Sequence, residues 1–269
     1  MPSTDRFGTA LSDIVRCPAC GHMQLAAMPA AQELQRAYAH AESGDYLEEE
    51  LGQRASARRA LAEIEHHVAP GRLLDLGCWV GFLLDEARAR GWRGIGVEPS
   101  EYASRYAQER LGLDVRTAAL FDVELPGDFD AVVMGDVIEH LPDPGAALAR
   151  IAGLAAPGAV LYLTLPDAGS LLARVLGRRW WSVIPTHVQY FTRDSITRLL
   201  GRQGWQVAGL YTAPKAFTVR YYLSRIGGYS PALSRGALRG AERLGLAGRI
   251  WAPDFRDRMV VIARAPAGR

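Results

Sequence analysis

Short apolar runs alternate with amphipathic segments along most of the chain. The runs predict strands at Arg72–Leu76, Gly94–Val97, 113–117, Phe129–Met134, Ala159–Thr164, Trp205–Tyr211 and Arg258–Ala263. Apolar residues spaced three and four apart predict helices at 81–90, 100–111, 144–155 and 193–203. Apolar strands that alternate with helices form mostly parallel sheets covered on both faces. The pattern therefore predicts an α/β protein with a doubly wound, mostly parallel, seven-stranded sheet.

Segments outside this alternation predict additions to the main domain. Residues 1–68 form an N-terminal extension, with two short strands around a Cys-x-x-Cys turn in 14–25 and helices at 30–41 and 46–68. Residues 69–269 form the main domain. Within it, 168–192 are predicted to be a lid after the fifth strand, and 213–257 an insertion before the last strand.

The loop after the first main-domain strand carries the strongest chemical signal. In LLDLGCWVGFLL (73–84), Asp75 ends the strand, and Gly77 and Gly81 bracket the turn into the helix. A dinucleotide site requires Gly-x-Gly-x-x-Gly to seat a pyrophosphate. Trp79 and Phe82 occupy its second and third glycine positions, so the loop suits a smaller, uncharged linker between a sugar and an amino acid. Glu98 ends the second strand, where a carboxylate can accept both ribose hydroxyl protons.

Together with FDAVVMGDVIEHLPDP (129–144) and LAAPGAVLYLTLPD (154–167), these motifs resemble the class I S-adenosylmethionine-dependent methyltransferases, in their small-molecule branch. The resemblance covers roughly residues 70–211 and implies S-adenosylmethionine as cofactor. It implies that the amino-acid and ribose part of the cofactor is contacted by Asp75, Gly77, Cys78, Trp79, Gly81 and Phe82, and the ribose also by Glu98. It implies that the adenine is contacted by Pro99, Ser100, Ala119, Leu120 and Phe121. Asp136 and Val137 are implied to contact the methionine part. Only Asp122, one place along, offers the acidic contact to the adenine amine that many members have. Tyr38 and Tyr46 could close over the cofactor or serve in packing.

Two histidines are candidate general bases. Methyl transfer from a sulfonium requires mainly positioning by the protein, and a base only when the acceptor is protonated, as a sugar hydroxyl is. His140 follows the fourth strand in DVIEHLPDP, and His187 lies in IPTHVQYFT in the predicted lid. Each could take a hydroxyl proton or serve only to fix its loop.

Charge is distributed unevenly along the chain. Residues 1–167 hold 25 acidic and 14 basic side chains, whereas residues 168–269 hold 4 acidic and 17 basic ones. Either the C-terminal third faces an anionic partner or the two parts neutralise each other. Arginines and aromatic residues alternate in 213–257, which favours a cap over an anionic acceptor. Contact with an anionic membrane and a homodimer surface remain alternatives, and no nucleic-acid-binding module accompanies the charge.

The N-terminal motif Cys17-Pro-Ala-Cys20-Gly21-His22 resembles half of a zinc ribbon. A zinc site would use Cys17, Cys20 and His22, completed by His40, His66 or His67; the alternative is a knuckle without metal. The chain has three cysteines, no apolar N-terminal run and no uncharged stretch as long as a membrane span, which favours a cytoplasmic protein.

The sequence therefore predicts a methyltransferase that acts on a small, anionic molecule, such as a nucleotide-linked sugar or a carrier-bound natural-product intermediate. Transfer to oxygen is favoured over nitrogen or carbon. A membrane-associated quinone or lipid methyltransferase is the alternative enzyme. A cofactor-binding scaffold without catalysis is the alternative outside the enzymes.

Overall fold

A computed structural model describes residues 8–30, 33–34, 47, 49–212 and 214–266. Its main sheet has seven strands: β3 (Arg72–Leu76), β4 (Arg93–Glu98), β5 (Val115–Thr117), β6 (Phe129–Gly135), β7 (Ala155–Pro166), β9 (Gln206–Tyr211) and β12 (Arg258–Arg264). Two smaller sheets accompany it. One contains β1 (Ile14–Arg16), β2 (Met23–Leu25) and β8 (Gln189–Tyr190), and the other contains β10 (Phe217–Thr218) and β11 (Ile250–Trp251).

The main sheet has the strand order β5-β4-β3-β6-β7-β12-β9. The pairs from β5 to β7 are parallel, and β12 is antiparallel to both β7 and β9. The predicted seven-stranded, mostly parallel sheet is confirmed. The chain leaves β3 towards β4 on one side and later returns to β6 on the other, which opens a crevice at the carboxyl ends of β3 and β6.

Helices cover both faces of this sheet. They are α1 (Glu50–Glu65), α2 (Phe82–Ala89), α3 (Glu101–Leu111), α4 (Pro144–Leu154), α5 (Leu171–Leu176), α6 (Arg193–Arg202), α7 (Val219–Arg225) and α8 (Pro231–Arg243). Leu74 of β3 belongs to the core with α4 and α6, and its neighbour Leu73 to the core with α1 and α2. Side chains on alternate faces of one strand are thus both buried, as expected for a parallel sheet between two helical layers.

Helix starts follow local sequence signals. The side chain of Ser100 accepts from the backbone N–H of Ala103 at the start of α3, and Asp143 accepts from Ala146 before α4, which opens with proline. Thr192 begins α6 with a reciprocal capping box. These caps satisfy backbone donors that have no partner inside the helix and so fix where each helix begins.

The additions pack onto the main domain in ways that the sequence pattern did not show. β8, within the predicted lid, pairs with β2, so the N-terminal hairpin is held by the segment after β7. In the predicted insertion, β10 pairs with β11 beside α7 and α8. Tyr38 and Tyr46 lie outside the described residues, as does most of the predicted helix 30–41. No described helix is long and apolar enough to cross a bilayer.

Candidate active site

The turn after β3 forms a close-fitting backbone cradle. Gly77 has a φ of +70°, and a Cβ there would lie 2.5 Å from Cγ2 of Val137. Only glycine combines this left-handed conformation with so close an approach. Trp79 also has a positive φ, of 51°, and Gly81 precedes the first residue of α2. These left-handed residues turn the chain sharply from β3 into α2 beside the crevice.

Glu98 is buried at the end of β4 and fixed by two backbone donors. Its Oε2 accepts from the N–H of Trp79 at 2.9 Å, and its Oε1 from the N–H of Ser100 at 2.8 Å. Burial raises the pKa of Glu98 in spite of these bonds. Burial and then the Glu98 charge raise the pKa of Asp75 to about 8. Two acidic groups thus face one cavity at the ends of neighbouring strands.

A cavity of about 700 Å³ lies over the carboxyl ends of these strands. Twelve of the fourteen predicted cofactor residues line it: Asp75, Gly77, Cys78, Trp79, Phe82, Glu98, Pro99, Ala119, Leu120, Phe121, Asp136 and Val137. The other two lie beneath it, Gly81 before α2 and Ser100 as the cap of α3. Asp122 also lines the cavity. The sequence motifs therefore converge on one pocket.

A cationic pair flanks Asp136 at the same cavity. Lys215 Nζ donates to Oδ2 of Asp136 at 2.6 Å, and Arg258 donates to Oδ1. Burial alone would raise the pKa of Asp136, but the charges of Arg258 and Lys215 outweigh it and hold that pKa well below its usual range. Both cations line the cavity, and sequence reasoning missed both. Lys215 is the only lysine of the chain, which was the one available signal.

The two candidate histidines occupy different positions. His140 lines the cavity, and its Nδ1 donates to the carbonyl of Thr186 at 2.8 Å. His187 lies behind it, with ring centroids 4.7 Å apart, and its Nδ1 donates to the carbonyl of Ser182 at 2.7 Å. Burial lowers the pKa of both rings. Of the two, only His140 is placed to meet a molecule bound in the cavity.

Helix α1 contributes a further wall that the sequence did not predict. Gln53, Ser56 and Arg59 reach the cavity from this helix, and Tyr162 and Thr164 reach it from β7. Arg59 is exposed at the cavity edge. The N-terminal helix thus covers the crevice, although its apolar spacing predicted only a buried face.

The expected zinc ligands do not converge. Cys17 and Cys20 are free thiols at the N-terminal turn, whereas the His22 ring packs on Phe191 and its Nε2 lies 2.8 Å from Oε1 of Gln189. Among the described residues, the one cluster of three such side chains lies elsewhere and contains no cysteine: it is formed by His140 at the cavity wall and by Glu139 and His187 behind it. The ring of His22 is held inward by its contacts, so the predicted Cys17, Cys20 and His22 site has no support from the geometry.

The doubly wound sheet and the pocket at its strand ends are those of a Rossmann-like methyltransferase domain. The model of the methyltransferase domain family matches residues 43–209, which is more than half of the chain. The protein belongs to this methyltransferase domain family.

Curated relatives match over a shorter part. The chain is 30% identical over 110 residues to the ubiquinone biosynthesis O-methyltransferase of Chromobacterium violaceum, which covers 38% of this chain and 47% of the relative. It is 35% identical over 95 residues to the protein of the same name from Rhodopseudomonas palustris strain BisB18, covering 34% and 37%. The chain thus spans less than half the length of these relatives.

Solved structures share the fold at low sequence identity. The [4+2]-cyclase SpnF has a TM-score of 0.54 at 20% identity, with 80% of this chain and 83% of that chain covered. The magnesium protoporphyrin IX methyltransferase of Synechocystis PCC 6803, solved with S-adenosylhomocysteine, has a TM-score of 0.52 at 18% identity, with 87% and 93% covered. Since one of these two neighbours is titled a cyclase, likeness of fold does not identify the reaction.

Proposed function

We propose that the protein transfers a methyl group from S-adenosylmethionine to a hydroxyl oxygen of a small, anionic acceptor. One observation carries the proposal: a single cavity joins the glycine cradle and Glu98 on one side to the Lys215 and Arg258 pair on the other. The first half suits the nucleoside and amino acid of the cofactor. The second suits an acceptor with an acidic group.

The residues of the cradle fit the cofactor. The buried Glu98 carboxylate, fixed by the N–H groups of Trp79 and Ser100, keeps lone pairs for two ribose hydroxyls. Gly77 lets the loop pack closely against Val137, since a Cβ there would lie 2.5 Å from Cγ2 of that residue. Asp75, buried beside Glu98, is placed for the cationic amine of the amino-acid part. When bound, the cofactor supplies an electrophilic methyl group on a positively charged sulfur.

The cationic pair favours an anionic acceptor. Lys215 and Arg258 both bind the carboxylate of Asp136, and both cations line the cavity wall. A carboxylate, phosphate or acidic phenol could bind there without a second ion being buried alone. Nucleotide-linked sugars and carrier-bound intermediates have such groups. The presence of two cations at this part of the cavity wall is the support for the anionic acceptor.

His140 is placed to take the hydroxyl proton of the acceptor. Since its Nδ1 carries the proton that is donated to Thr186, its other ring nitrogen holds a lone pair when the ring is neutral. The lowered pKa keeps the ring neutral at physiological pH. His187, behind this ring, would act on the acceptor only through His140.

A membrane-associated quinone or lipid methyltransferase is the second candidate. The curated relatives named above are ubiquinone biosynthesis O-methyltransferases. In addition, Leu171 and Val175 of α5 are 70% and 72% exposed, and Arg174, Arg178 and Arg179 lie on and beside the same helix. Exposed apolar residues among arginines suit an anionic lipid surface. Flotation with phosphatidylglycerol vesicles, with L171S/V175S as the matched variant, tests this candidate.

Transfer of a tritiated methyl group tests the first candidate. The protein is incubated with labelled cofactor and either dihydroxybenzoate, catechol or nucleotide-linked sugars. We expect labelled product from an anionic acceptor, a raised KM for that acceptor in Lys215→Met, and no change in Arg239→Met on α8. Transfer that prefers neutral catechol, or a KM that Lys215→Met leaves unchanged, would overturn the anionic subsite.

A further inference from the structure

Glu139 is a buried carboxyl group that the cofactor and acceptor contacts leave unused. Its side chain is 2% exposed, in the short 3₁₀ turn Ile138–His140 after β6. Neither carboxyl oxygen has a hydrogen-bond partner among the described residues. A buried carboxylate without a partner is costly, so this group needs a proton or another cation nearby.

His187 faces Glu139 with a second acceptor atom. The Nδ1 of His187 donates to Ser182, so the Nε2 of the neutral ring holds a lone pair, and this Nε2 lies 4.0 Å from Oε1 of Glu139. A ring nitrogen of His140 joins them, since the three polar atoms lie within 4.8 Å of one another. Two acceptors that face each other in a buried site repel unless one of them carries a proton.

His140 connects this buried pair to the cavity. Its ring lies at 73° to that of His187 and forms part of the cavity wall. A proton taken up at the cavity therefore has a short path to Glu139. The described geometry arranges the three groups as an outer ring, an inner ring and a buried carboxyl.

We propose that Glu139 holds a proton that faces His187 behind His140. This proton leaves when the positively charged cofactor binds and is replaced by the hydroxyl proton of the acceptor. This inference rests on the proposed function and names Glu139 and His187 as positioning residues that act through His140. In the transfer, the acceptor O–H bond breaks and its electron pair forms the new bond from oxygen to the methyl carbon, while the bond from that carbon to the sulfonium sulfur breaks and its electron pair stays on sulfur as a neutral thioether. The hydroxyl proton passes to His140 and then to the buried pair.

The charges around Glu139 agree with this cycle. Burial, and then the charge of Asp136, raise the pKa of Glu139 to about 8, while Arg258 and Lys215 oppose the rise. His140 and His187, the other titratable groups against it, are held neutral by burial. Glu139 is therefore mostly protonated at neutral pH. A further positive charge in the cavity lowers its pKa and favours loss of the proton.

Calorimetry in buffers of different ionisation enthalpy counts this proton. S-Adenosylmethionine and S-adenosylhomocysteine share every ionisable group and differ in the sulfonium charge. At a pH just below 8, the pKa reached by Glu139, we expect the charged ligand to release more protons than the neutral one. Glu139→Gln should abolish this difference. Glu124→Gln, at an exposed position, should keep it.

A second measurement needs neither ligand, so it separates this inference from the proposed function. In the ¹⁵N spectrum of histidine-labelled wild-type protein, the His187 ring should remain neutral from neutral pH upwards and shift with a midpoint near 8 as Glu139 ionises. Equal proton release for the two ligands, absence of this inflection, or a bound divalent metal in the purified protein would overturn the buried proton on Glu139. If neither ligand binds but the inflection is present, the proposed function fails and the buried proton stands.

Discussion

Lys215 and Asp136 are 79 positions apart in the chain, yet the lysine Nζ lies 2.6 Å from the aspartate Oδ2. The contact joins the segment before β10 to the end of β6, at the wall of the cavity. Arg258, the first residue of β12, holds the other oxygen of the same carboxylate. Three distant segments thus meet at one anion, and the shape of the acceptor side depends on it.

Asp136→Asn should destabilise the protein. Without the carboxylate, Lys215 and Arg258 lose their shared partner, and their side chains are only 29% and 24% exposed. The loss of a charged hydrogen-bond partner at such a site costs about 1–3 kcal/mol in the free energy of unfolding. Urea denaturation measures it. The double variant D136N/K215M should recover part of the loss, whereas strictly additive effects would show that the two residues do not interact.

Asp136 should also make the protein sensitive to acid. The folded pKa of Asp136 lies below its unfolded value near 3.9. The ion pairs of Asp136 with Lys215 and Arg258 therefore stabilise the folded state above that pH, and this stabilisation is lost as the pH falls further. We expect the thermal midpoint of the wild type to drop in this acid range. The drop should be smaller in D136N, and parallel curves for the two proteins would contradict the assignment.

Asp75 should have the opposite pH dependence. Its folded pKa, about 8, lies above its unfolded value near 3.9, so the folded state binds more protons between these limits. The stability contribution is full below the lower value and is lost as the pH rises towards the upper one. Asp75→Asn should flatten the decline of the thermal midpoint with pH in the cofactor-free protein. Glu139 titrates in the same window, so E139Q should remove a separate part of the decline.

Gly77→Ala should disturb the cradle more than the same change at a helix end. The alanine would have to keep the left-handed backbone conformation, which costs about 1–3 kcal/mol. Its Cβ would also clash with Val137. Gly112, with a φ of +62° and open space around its Cβ position, provides the matched control G112A. Chemical denaturation should rank G77A below G112A. Addition of V137A should relieve only the clash, and equal stabilities of G77A and G112A would show that Val137 does not restrict position 77.

The cofactor half of the site was predictable because it is local in sequence. Asp75, Gly77 and Glu98 lie at strand ends that the apolar runs located, and β3 has the predicted bounds Arg72–Leu76. The strand predicted at Ala159–Thr164 extends to Ala155–Pro166. Pairing with β12 carries it past Thr164 to Pro166, and Ala155 pairs with Phe129 of β6. Such lengthening depends on a partner strand that lies far along the chain.

The acceptor half was not predictable because its residues lie far apart in the sequence. Arg258 reaches Asp136 over 122 positions, and no periodic pattern links a loop lysine or a strand-end arginine to a particular carboxylate. His187 was predicted as a lid residue at the acceptor. The structure turns its ring inward against His140, because Nδ1 binds Ser182 within the same loop. Which face of a loop is buried depends on what packs on it.

Calorimetric titration with S-adenosylhomocysteine of the wild type and of Glu98→Ala tests the central claim most directly. Loss of the Glu98 hydrogen bonds to ribose should weaken binding by about 1.5–3 kcal/mol, or about 10- to 150-fold in Kd. Glu101→Ala, an exposed position in the first turn of α3, should bind as the wild type does. Thermal unfolding confirms that each variant is folded. Micromolar binding by the wild type that is weakened in E98A alone is the predicted result, whereas no binding, or equal binding by E98A, would contradict the assignment of this cavity to the cofactor.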